Sequence, residues 1–316
     1  MGIHKRWLCF ILYSASICQL QAQDADSLLR LPSDSTLTYS DSLNIFYLID
    51  SLLTLEENTS TSRLAVRLAY NNNVLYAGQT LGIDQFGLSP GVSFYHKAGF
   101  YADLSGFWSH DFEPHFYLIA LSVGYLHTFS STFSLNVGYD RYFTINNDFL
   151  QYKNTLSATP YLDFKPISLS LNYSLYFTES NVHRLMPSFT VNLEKSNFLQ
   201  IDKVSFAPSI HVLFGNEHLI EYEIIEATTP LERSRNYMRY GTSYKIIEIE
   251  TNPFGVMNYA FSFPLSITHK KWNFLFSYTY SIPKTLPGEP FELPDSGFIV
   301  AGITYYINLK NKKSPF

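Results

Sequence analysis

From about Arg63 to Leu309, large apolar residues alternate with small polar ones, and that period of two limits what the chain can become. Ile167, Leu169, Leu171, Tyr173, Leu175 and Phe177 interleave with Ser168, Ser170, Asn172, Ser174, Tyr176 and Thr178. Leu64, Val66, Leu68 and Tyr70 interleave in the same way with Arg63, Ala65, Arg67 and Ala69. A strand sends successive side chains to opposite faces, so one face here is bulky and the other mostly Ser, Thr, Asn and Gly. A soluble sheet hides its bulky face in a core. A long run of such strands fits a closed wall instead, with lipid outside and a polar interior.

Composition agrees. Of 316 residues, 16% are charged and 17% aromatic, an unusual balance for a soluble domain. The mean hydropathy of -0.04 is near neutral, and past the N-terminus no run approaches the ~20 apolar residues of a spanning helix. A spanning strand needs only about 10 residues, half of them apolar. The net charge of -5 is dispersed without a basic stripe, which argues against nucleic acid as a partner.

The first residues read as a cleavable export signal, 1–22. His4, Lys5 and Arg6 precede an apolar stretch from Trp7 to Cys18 that is too short to span a bilayer, and Leu20-Gln21-Ala22 offers a cleavage site before Gln23. Lipidation at Cys18 is disfavoured, because Ile17 stands where a small residue is required. Both cysteines, Cys9 and Cys18, lie in this signal, so the mature chain carries no thiol and no disulfide. Residues 23–61 form a polar periplasmic segment. Within it Ile45, Leu48, Ile49, Leu52 and Leu53 follow helical spacing, which predicts a short helix at about 42–55 capped by Asp41 or Ser42. A linker helix resting on the barrel rim is favoured over a lumen plug.

Residues 62–310 are read as the barrel and 311–316 as a periplasmic tail. About twelve strands are predicted, near 63–71, 88–96, 99–109, 115–128, 132–143, 152–164, 167–178, 184–195, 203–215, 256–268, 271–282 and 297–309, with ten or fourteen also open. Connections after the even strands are tight, apart from a longer one at 196–202. Those after odd strands run longer, notably 72–87, 216–255 and 283–296. Short turns on one side and long loops on the other place the short turns in the periplasm. Pro160, Pro187, Pro208 and Pro264 fall inside predicted strands, where bulges would accommodate them. In the loop after the ninth strand, 219–226 and 245–250 continue the alternation as a polar hairpin. Thr229-Pro230-Leu231-Glu232 has capping-box spacing, and Gly241 suits a helix stop, which predicts a helix at about 230–240. It carries Arg233, Arg235 and Arg239, which are solvated surface or, less commonly, a ligand-gripping cluster.

No phosphate-cradling loop, zinc spacing or nucleophile elbow is present. His110-Asp111-Phe112-Glu113-Pro114-His115 is the densest group of acids and bases, and hydrophilic loop cover is its commoner meaning. No cofactor or metal is expected. The inward register instead collects Arg63, Arg67, Asp103, Asp140, Asp163, Glu194 and His211. On a lipid face such groups would cost about 2–4 kcal/mol for Arg or Lys near the midplane. Inside, they either pair into a network that packs the lumen or line a path for a solute. Arg63 and Arg67, on one strand, are read as a local positive pair that favours anions.

Together, the signal ending Leu20-Gln21-Ala22-Gln23, the alternating aromatics and the closing run Phe298 to Leu309 resemble bacterial outer-membrane β-barrel proteins over residues 62 to 309. The resemblance is architectural and singles out no subfamily. It implies an all-β, transmembrane, antiparallel up-and-down barrel in the outer membrane of a Gram-negative bacterium, with outer-membrane lipid and the insertion machinery as partners. Such proteins often end on an aromatic residue inside the last strand; here Leu309 ends the alternation, and Phe316 follows a proline. A His and Ser pair on one strand face with a following Asn, as outer-membrane phospholipases need, is not found. The expected function is a channel or transporter for small solutes through a polar lumen. The alternative is a non-conducting barrel whose external loops, 72–87 and 216–255, recognise a ligand; a loop-borne hydrolase is the least favoured.

Overall fold

The computed structural model describes residues 61–76, 79–110, 113–144, 152–178, 181–217, 219–288 and 293–309. The predicted signal, the periplasmic helix and the tail with Phe316 lie outside these residues, as does Asp111. The described chain runs β1 (Ser62–Tyr76), β2 (Gln79–Tyr95), β3 (Phe100–Ser109), β4 (Phe116–Thr128), β5 (Phe133–Thr144), β6 (Tyr152–Phe164), β7 (Ile167–Thr178) and β8 (Asn181–Val191). It continues with β9 (Leu193–Phe198), β10 (Ile201–Phe206), β11 (Ser209–Asn216), β12 (Leu219–Glu226), α1 (Pro230–Tyr240), β13 (Tyr244–Thr251), β14 (Phe254–His269), β15 (Trp272–Pro283) and β16 (Ser296–Leu309).

These segments make a closed antiparallel barrel of twelve strands. Each strand pairs with its sequence neighbour; β11 pairs with β14, and β1 pairs with β16 to shut the ring. Two strands are interrupted. β8 and β9 are one strand broken at Asn192, and β10 and β11 are one strand broken at Ala207–Pro208; the two pair with each other, and β10–β11 pairs on its other side with β14. β12 and β13 form a separate two-stranded sheet that carries α1.

The alternation in sequence becomes inside and outside. On β1, Val66 and Leu68 are exposed on the outer wall while Ala65 and Ala69 are buried within. On β7, Leu171 and Tyr173 are 41% and 40% exposed, against 8% and 1% for Asn172 and Ser174. Aromatic residues ring the outer wall at the short-turn end, with Phe100 against Tyr125 and Trp272 against Tyr305, ring centroids 4.6 Å apart in both pairs. Tyr139, Phe143, Tyr278 and Tyr280 are exposed toward the long-loop end. An apolar band between two aromatic girdles is the outer surface a bilayer selects.

Three expectations are corrected. The loop 72–87 is a continuation of the β1–β2 hairpin; only residues 77–78 between the strands lie outside the described residues. Its period of two is broken by register shifts between Asn71 and Asn73 and again between Asn73 and Leu75. The connection 196–202 shortens to a turn at Leu199–Gln200, with Asn197, Leu199 and Gln200 at positive φ. The prolines do not create bulges. Pairing through Pro160, Pro187 and Pro264 keeps a constant register, and Pro208 marks the break between β10 and β11. One proline removes one ladder donor, and the neighbouring bonds hold the register. Bulges occur elsewhere, including Phe107/Trp108 and Leu213/Phe214.

Candidate functional site: the barrel interior

The wall residues facing inward include many small hydroxyl and amide side chains, several of which bond across neighbouring strands, together with buried aromatics such as Phe107, Tyr142, Tyr161 and Tyr176. Asn172 donates to Thr159 at 2.7 Å and accepts from Ser174 at 2.9 Å. Asn273 donates to Ser266 at 2.8 Å, and Ser281 donates to Asn258 at 2.8 Å. His211 stands between Ser209 and Ser188, its ring nitrogens 2.8 and 2.7 Å from the two hydroxyls. Cross-strand neighbours on one face are about 4.5–5.5 Å apart, which suits such short side chains.

The charged candidates divide by partner. Arg67 is bound to Asp103 at 2.9 Å, and the same guanidinium donates to Ser105 at 2.9 Å. Ser93 and Ser105 both donate to Asp103, the latter at 2.6 Å. Gly91 makes this network possible, since a Cβ there would meet Arg67 Nη2 and Ser105 Oγ at 2.9 Å. Glu194 pairs with Lys203 at 3.1 Å near the short turns, and Asp163 accepts from Ser168 at 3.2 Å. Asp140 is buried on β5 and accepts from Ser122. Arg63 lies four residues before Arg67, with Ala65 buried between them. A rise of about 3.4 Å per residue separates the two arginines by roughly 14 Å, and Asp103 neutralises one of them. The expected positive pair is therefore not a single patch.

Two features of the interior were not read from the sequence. Arg184 on β8 forms an ion pair with Glu217 at 2.7 Å, with side chains 3% and 7% exposed. It also donates to the Asn216 carbonyl, so it ties the start of the outer loop to the wall. The even numbering that Arg184 shares with Glu194 marked it as inward; nothing marked Glu217, which lies past the strand. At the same end, Leu286 follows β15 and packs on Leu213 and Met257 with Met186 beside them. The bulge at Leu213/Phe214 lets consecutive Met257 and Asn258 both be buried. An apolar contact thus narrows the long-loop mouth beside a buried ion pair.

Outside the barrel, α1 has the predicted cap: the Thr229 side chain accepts from the Glu232 amide, and Glu232 returns to the Thr229 backbone. Gly241 closes the helix in the left-handed conformation. Arg233, Arg235 and Arg239 are exposed and come together with no other candidate; Arg239 lies over the Tyr240 ring at 5.8 Å. At the β3–β4 loop, the His110 and His115 rings stack at 5.9 Å and Glu113 is exposed. No group of three or more potential metal ligands occurs among the described residues.

No protein-family model matches the chain, and no curated protein matches it. Among solved structures it is similar to the KdgM porin, with a TM-score of 0.44 at 12% identity over 76% of this chain and 98% of that one. The NanC porin gives 0.41 at 11% identity over 77% and 98%. Pseudomonas aeruginosa OprD gives 0.32 at 10% identity over 79% and 96%.

Proposed function

We propose that this protein is an outer-membrane channel for small solutes. The supporting observation is the closed twelve-strand wall, apolar outside, whose inner face carries many Ser, Thr and Asn side chains beside a set of buried aromatics. Only a closed barrel or a helix satisfies every backbone polar group in lipid, and no described helix is long and apolar enough to cross. On this reading the export signal delivers the chain to the periplasm of a Gram-negative bacterium, and the insertion machinery places it in outer-membrane lipid. Asp140, Asp163, Glu194, Arg63, Arg67 and His211 then tune what passes, with Asp103 holding Arg67. The chain is read as non-enzymatic. Purified protein in planar bilayers should give discrete conductance steps; a folded, inserted protein that gives none would end the channel reading.

A non-conducting, surface-binding barrel is the second reading. It is favoured by Leu286 packed into the mouth and by the external hairpin, where Leu231 and Met238 are exposed beside Arg235 and Arg239. Deleting 219–251 with a short Gly-Ser linker should leave conductance intact in the first reading and abolish surface recognition in the second.

A further inference from the structure

Asp103, Ser122, Asp140 and Thr155 are direct register partners across β3, β4, β5 and β6, forming one inward row. The two carboxylates in this row are treated differently. Asp103 has Arg67, Ser93 and Ser105. Asp140 has the Ser122 hydroxyl and, among the described residues, no ion pair, although it is only 7% exposed. On its other side Thr155 is fully buried, and its hydroxyl has no hydrogen-bond partner. The next inward position on β5 is Gly138, over which the Tyr101 hydroxyl lies. A buried carboxylate without a countercharge is strongly disfavoured, and so is a buried hydroxyl left unsatisfied. Side by side, they ask for the same thing: a positive group that accepts several oxygen ligands.

We infer that Asp140, Ser122 and Thr155 form an interior site for one small monovalent cation, an alkali ion or ammonium. Divalent ions draw several carboxylates or keep much of their water; here one carboxylate is available, because Asp103 is committed to Arg67. A single negative charge with two hydroxyls matches a single positive charge. The site does not depend on conduction, so it can be tested apart from the channel reading.

Thermal unfolding of the detergent-solubilised protein, compared in sodium, potassium or ammonium chloride and in N-methyl-D-glucamine chloride of equal ionic strength, is the decisive measurement. Wild type should melt roughly 2–4 °C higher in at least one small cation. Asp140→Asn should lose that difference, and Thr155→Val should reduce it while keeping the carboxylate. In bilayers, Asp140→Asn should shift the reversal potential in a salt gradient toward anions. A melting point that ignores cation identity in wild type would overturn the inference and point to a protonated Asp140 carboxyl. So would a cation effect that survives in both variants. Absence of conductance would sink the channel reading alone and leave the melting comparison to decide the site.

Discussion

The interior ion pair Arg67–Asp103 shows how a barrel holds charge. Asp103 is 2% exposed and surrounded by one guanidinium and two serines, so removing Arg67 leaves a buried anion. Arg67→Gln should therefore destabilise the folded barrel by about 3–5 kcal/mol, and Arg67→Gln with Asp103→Asn should recover most of that loss. Urea unfolding followed by tryptophan fluorescence would check it; equal stability of the single mutant would show that the pair is not structural. Steric room matters as much. A Cβ at Gly124 would overlap the Tyr101 ring, so Gly124→Ala should cost about 1–3 kcal/mol. In a Tyr101→Ala background that cost should vanish, and a penalty that persists would locate the strain elsewhere. The inward side of Arg67 and Asp103 was legible, because parity along a strand is a property of each strand alone. Their pairing was not, because it depends on the register of β1, β2 and β3 together.

Elements outside the bilayer follow other rules from those within it. α1 was legible residue by residue, since Thr229, Pro230, Glu232 and Gly241 each act on the backbone within a turn of themselves. Hydrogen bonds from the Thr228 hydroxyl and the Thr228 and Thr229 amides hold the Glu232 carboxyl below its ordinary range. A depressed folded value means that this support is full above the ordinary glutamate range. It is lost as pH falls through the lowered value. Amide exchange at the start of α1, corrected for intrinsic pH dependence, should therefore rise on acidification in wild type and be higher and flatter in Glu232→Gln. A wild-type profile unaffected by pH would contradict the capping role. The β1–β2 extension was illegible for the opposite reason. Register shifts between Asn71 and Asn73 and between Asn73 and Leu75 break the period of two there, so the sequence no longer reports the strand. The prolines misled in a third way, since a missing donor was read as a displaced register.

At the scale of the molecule, short turns at one end and the hairpin with α1 at the other define a direction across the membrane. Exposed sites at both ends test it, because the mature chain should be thiol-free. Met238→Cys, at a position 83% exposed, should react with a bulky impermeant maleimide on intact cells. Leu199→Cys, at a position 77% exposed in the opposite turn, should react only after the outer membrane is opened. The reverse pattern would invert the barrel. Strand number, and which end carries the short turns, were legible because loop lengths alternate along the chain; the mouth contact of Leu286 was not, because one leucine in a polar loop has no period. One pairing differs in kind from all the others. Ser62 meets Leu309 and the ladder runs on to Asn71 with Val300, so the first strand waits for the last. Until the final residues have been made and brought alongside, β1 is an open edge that any other chain can claim. A chain truncated before β16 therefore closes no smaller barrel and leaves only an adhesive sheet edge.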